Sequence, residues 1–95
     1  MNEVCGEILA DAGRLISSDR AEQHGDMRAN HENIANLWAA YLGTPVSAHD
    51  VALMMSLLKI ARTKTGQHNQ DDYVDAVGYV SIAASLAPAT SPLKG

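Results

Sequence analysis

The chain contains no Phe, one Trp, one Cys, three Lys and three Pro in 95 residues. Each shortage removes a class of protein. A lone cysteine, Cys5, allows no internal disulfide and no cysteine zinc cluster. It suits a reducing cytoplasm and reads as a small core or interface residue. Three Lys and a net charge of −4 argue against a surface that wraps nucleic-acid phosphates, so nucleic acid is not an expected partner. No apolar run reaches about 18 residues, so no membrane-spanning helix is expected. The acidic N-terminus lacks a signal-peptide pattern. There is no Gly-rich phosphate loop and no Gly-x-Ser-x-Gly elbow, so a serine nucleophile has no motif behind it. His24, His31, His49 and His68 fall in expected loops or helix starts. None forms a His-x-x-x-His or Glu-x-x-His pair, which removes support for zinc or di-iron chemistry.

What is present is alanine. The chain is 46% hydrophobic, yet 15 of its residues are Ala. Apolar residues are frequent while apolar volume is low. Small side chains favour close helix packing, and they insulate a long apolar helix poorly. The length fits one all-α domain over residues 1–87, followed by a flexible, Pro-containing tail over 88–95.

The periodicity predicts four helices and no strand. The first covers residues 3–17, with Val4, Ile8, Leu9, Ala12, Leu15 and Ile16 at three- and four-residue spacing. Residues 20–26 are polar and read as a loop. The second helix runs from residue 26 or 27 to 42, with Ile34, Leu37, Trp38 and Tyr41 as its apolar stripe. Core packing is the main expectation for Trp38 and Tyr41. Gly43 is placed to cap this helix and Pro45 to stop it. The third opens on Ser47-Ala48-His49-Asp50, a capping-box pattern, and runs to Arg62. The fourth starts at residue 69 or 71 and runs to about residue 86, with acids at the positive end of its dipole.

The third helix is anomalous. Between Val51 and Ala61 only Ser56 and Lys59 are polar. A helix apolar nearly all round must be buried nearly all round, and three Ala-rich helices can cover one of its sides but hardly both, the plainer alternative being a tight four-helix monomer with this helix central. A second copy of the chain is therefore expected, giving a dimer or tetramer.

Chemistry is concentrated in a few polar positions. Asp72 and Asp75 are three apart on a helix and share a face. Such a pair repels itself unless a divalent cation lies between, and Mg²⁺ suits carboxylates combined with phosphate oxygens. A solvated helix start is the plainer alternative. Asp50 is a third acid that either converges on the pair or caps its helix. Lys59 and Arg62, also three apart, either meet a polyphosphate or neutralise an acid.

The order Asn30, then Leu37-Trp38-x-x-Tyr41-Leu42-Gly43, then Asp50-Val51-Ala52-x-Met54-Met55-x-x-x-Lys59-x-x-Arg62, then Asp72-x-x-Asp75 with Tyr79 resembles a family of short bacteriophage and prophage proteins of unassigned function. The resemblance covers about residues 7–87. That family in turn resembles the MazG-like all-α nucleoside triphosphate pyrophosphohydrolases. Those are helical dimers or tetramers whose acidic residues bind Mg²⁺. Their signature is Glu-Glu-x-x-Glu followed by Glu-x-x-Asp. Asp72-x-x-Asp75 is similar to the second half, and no Glu-x-x-Glu occurs here.

The resemblance implies a four-helix MazG-like bundle that releases pyrophosphate from (d)NTPs. Asp50, Asp72 and Asp75 would then be the catalytic, Mg²⁺- or Mn²⁺-binding residues. Asn30, Lys59, Arg62 and Tyr79 would hold the nucleotide. The competing expectation is a non-catalytic protein on the same scaffold, binding a nucleotide or blocking a host defence protein. Either would act in the bacterial cytoplasm.

Overall fold

A computed structural model describes residues 2–17 and 26–87. The described residues form four α-helices: α1 (Glu3–Leu15), α2 (Met27–Leu42), α3 (Ala48–Arg62) and α4 (Gln70–Ser85). The expected tail over 88–95 and most of the expected loop over 20–26 lie outside the described residues.

Each boundary has a local cause. The Asn2 side chain accepts from the Cys5 N–H and starts α1. Asp26 and Asn69 accept from Arg28 and Asp71, capping α2 and α4. At α3 the capping box closes in both directions. The Asp50 N–H donates to Ser47 Oγ at 3.0 Å, and the Ser47 N–H donates to Asp50 Oδ2 at 3.1 Å. α2 ends because Gly43 takes a left-handed φ of 73°, which returns its N–H to Ala39 O.

α3 and α4 form the central antiparallel pair, α1 lies against α4, and α2 lies against α3. α1 and α2 do not pack together among the described residues. α2 also reaches the end of α4 through side chains: Arg28 Nη2 donates to Ser85 O at 3.2 Å, and the His31 ring stands edge-on to Tyr79.

The core is thin, as the alanine content implies. Its buried apolar members are Ala12, Ala35, Val51, Ala52, Val74, Ala76, Ala83 and Leu86. Only three of these are larger than Ala. Burying such a side chain stabilises by about 1.5–3 kcal/mol, so one chain gains little from its interior.

Two expectations about packing are corrected. In α2 the buried positions are His31 and Ala35, while Leu37 is exposed and Tyr41 is 90% exposed. The small Ala35 lets α2 approach its neighbours, so the contact line passes through it and turns Leu37 and Tyr41 outward. Tyr41 is therefore not a core residue, whereas Trp38 is half-buried. Cys5 is exposed on the first turn of α1 and plays no part in the core.

Candidate functional site

The seam between α3 and α4 carries most of the polar residues singled out in the sequence. Two i, i+3 pairs of opposite charge face each other across it. Lys59 Nζ lies 3.1 Å from Asp75 Oδ2, and Arg62 Nε lies 3.4 Å from Asp72 Oδ1. The match follows from antiparallel geometry. Moving three residues toward the end of α3 moves three toward the start of α4, so like spacing meets like spacing. The Asp72 side chain is 9% exposed and that of Arg62 is 56% exposed, so this pair runs from the interior out to solvent.

Two further contacts continue the same register. Ser56 is buried, and its Oγ donates to Ala76 O at 2.9 Å. Nδ1 of His49 lies 2.8 Å from Ala83 O, a geometry in which the ring N–H donates to the carbonyl. From one end of the seam to the other the partners are Arg62 with Asp72, Lys59 with Asp75, Ser56 with Ala76, and His49 with Ala83. Around the last rung lies the apolar cluster of Ala52, Ala83 and Leu86, with Ala48 and Ile82 packed against it.

Asp50 does not join the acid pair within one chain. It opens α3, whereas Lys59 and Arg62 lie at its other end, about 14–18 Å along the axis at the usual helical rise. Its carboxylate is held by the α3 cap. The hydrogen bonds from the Ser47 backbone and side chain, in that order, keep it below the ordinary Asp value against a small opposing effect of burial, and nearby His49 adds to the lowering. Asn30 is exposed, one position before His31, on the helix whose first turn meets the end of α4. Tyr79 is half-buried one turn beyond Asp75 and contacts His31. Lys59, Arg62, Asp72 and Asp75 are thus assembled into one cluster, Tyr79 borders it, and Asn30 and Asp50 lie apart.

This arrangement does not suit a resident Mg²⁺ held by one chain. Each carboxylate of the acid pair already faces a cation, and the third acid is remote. Among the described residues, no three His, Cys, Asp or Glu side chains converge as metal ligands would.

The residues that sequence reasoning undervalued are Ser56, His49 and His31. Ser56 was visible as one of two polar residues in an apolar helix, and His49 lies seven positions before it on the same face. His31 is buried in the second turn of α2 and bonds Met27 O through Nδ1, so it is neither a loop nor a surface residue. His68 is exposed beside Tyr73. His24 lies outside the described residues.

An all-helical domain with a charge-paired seam and a thin core is the class that fold and site define. The chain belongs to the family described as a domain of unknown function, DUF6378, which matches residues 7–87. It is 46% identical over 80 residues to the Gene 55 protein of Mycobacterium phage L5, covering 83% of this chain and 51% of that protein. It is 42% identical over 79 residues to the Gene 55 protein of Mycobacterium phage D29, covering 83% and 52%. The chain thus spans about half the length of these relatives. No solved structure matches it. No helix among the described residues is long and apolar enough to cross a membrane.

Proposed function

We propose that this chain is a non-catalytic bacteriophage protein that acts by protein–protein contact, as a homo-oligomer that engages a host defence protein in the bacterial cytoplasm. One observation carries the reading. The charges that a metal–phosphate site would need are spent on one another as Lys59–Asp75 and Arg62–Asp72. The large apolar side chains face outward instead, including Leu37, Tyr41, Leu57 and Leu58. An exposed apolar area of this kind marks a contact surface. The phage origin of the relatives is consistent with a host protein as the class of target.

The test is chemical. Folded protein is incubated with several dNTPs and Mg²⁺ or Mn²⁺, and pyrophosphate release is measured. The expected result is no turnover above a protein-free control, and no heat of Mg²⁺ binding. Turnover that Asp72→Asn and Asp75→Asn both abolish would overturn the proposal.

The second reading is the MazG-like pyrophosphohydrolase. What favours it is that Lys59, Arg62, Asp72 and Asp75 do gather at one end of the α3–α4 seam, with Tyr79 beside them. On that reading the bases would turn to nucleotide phosphate and release the acids to Mg²⁺ or Mn²⁺. The same assay decides between the two.

A further inference from the structure

The exposed side of α3 has an internal symmetry. Leu57 is its most exposed large residue, at 63%. Leu53 and Ala61 lie four positions either side of it, and Met54 and Ile60 three positions either side. These five share one arc of the helix, because three- and four-residue steps return to the same face. Leu53, Met54, Leu57 and Ile60, with Leu58 at the arc's edge, are 39% to 63% exposed, and Ala61 is exposed. No charge interrupts the arc, because Lys59 and Arg62 lie on the side of α3 that meets Asp75 and Asp72.

Charges return only at its ends. Asp50 lies seven residues before Leu57, two turns back on the same face of α3, and Lys64 seven after, in the turn just past the helix end; both are exposed. Asp50 uses Oδ2 in the α3 cap, which leaves its other oxygen to accept. Lys64, just past the Thr63 cap, forms no ion pair among the described residues. The face is therefore negative at one end, positive at the other and apolar between.

We propose that this face docks on the same face of a second copy, with the two α3 helices antiparallel and Leu57 on the two-fold axis. Leu53 then meets Ala61 of the partner subunit, and Met54 meets Ile60 of the partner subunit. Asp50 meets Lys64 of the partner subunit at both ends. Charge complementarity selects this occupant, since a face that is its own mirror in charge and spacing is satisfied by itself when reversed. The antiparallel sense also sets the positive end of each helix dipole beside the negative end of the other. The area agrees. The five large side chains of one copy expose on the order of 500 Å², so two faces bury about 1,000 Å², where specific interfaces begin. The inference rests on the reading of this chain as one that works by contact, and it names the oligomer's seam.

The experiment uses the full chain. Sedimentation equilibrium at tens of micromolar should give a dimer or an even multiple of it. Leu57→Asp should yield a monomer of unchanged helical circular dichroism at low temperature. Direction is read by cross-linking in a Cys5→Ser background. Chains carrying Leu53→Cys, mixed with chains carrying Ala61→Cys, should form the mixed disulfide in preference to either self-disulfide. A monomeric wild type, a dimer indifferent to Leu57→Asp, or a preference for self-disulfides would each overturn the proposal. Pyrophosphate release would sink the non-catalytic reading alone and leave the seam intact.

Discussion

Asp72 is nearly buried, and its charge is balanced by one guanidinium. A carboxylate in that position is costly to leave alone, because its partner supplies what water no longer can. Truncating the acid and truncating the base should therefore differ. Asp72→Ala leaves the exposed Arg62 to be solvated and should cost about 1 kcal/mol. Arg62→Ala leaves a buried charge and should cost about 2 kcal/mol. Urea denaturation of the two single variants and the double variant checks both the order and the coupling. Ser56→Ala removes one bond to a carbonyl that α4 already uses, so a loss of about 1 kcal/mol is expected in the same measurement.

For whole elements, the ends of α3 matter more than its interior. The Ser47–Asp50 box is sequence-local, and Ser47→Ala should cost about 1 kcal/mol by thermal denaturation. The cap also has a pH signature. The folded Asp50 value is lowered, so its contribution is fully present above the unfolded Asp value near ~3.9. It is lost as pH falls from there through the folded value. Stability measured between pH 6 and 3 should fall less steeply at the acid end in Asp50→Asn than in the parent. The register of α3 on α4 is a separate matter, set by the rungs of the seam. Lys59→Asp should destabilise by placing like charges together, and adding Asp75→Lys should restore part of the loss. An independent effect of the two changes would contradict the observed pairing.

At the scale of the whole molecule, one chain has too little apolar volume inside and too much outside. Among the described residues, Val51, Val74 and Leu86 are the only buried apolar residues larger than Ala, while α3 alone leaves five large ones exposed. In the proposed dimer, association is coupled to folding. The midpoint of thermal unfolding should rise with protein concentration across the micromolar range, as mass action requires for a stabilising partner. A concentration-independent midpoint would show that a single chain is stable as it stands.

Among the described residues, helix number, helix ends and the all-α class were legible because they depend on neighbours in sequence. Apolar spacing, Gly43, and the Ser47, Asp26 and Asn69 caps act within a turn or two. The surplus of apolar surface on α3 was legible for the same reason, since it needs only a residue count. That Lys59 and Arg62 neutralise an acid was one of the readings their spacing allowed, with no indication of which acid. Only the antiparallel docking of α3 on α4 chose it, because charges from separate helices meet or miss according to register. The same docking sent Asp50 to the opposite end of the seam, and packing through Ala35 turned Tyr41 out to solvent. Composition and local pattern determined what this chain forms; the relative placement of its helices decided which of its charges are paired and which of its apolar residues are left exposed.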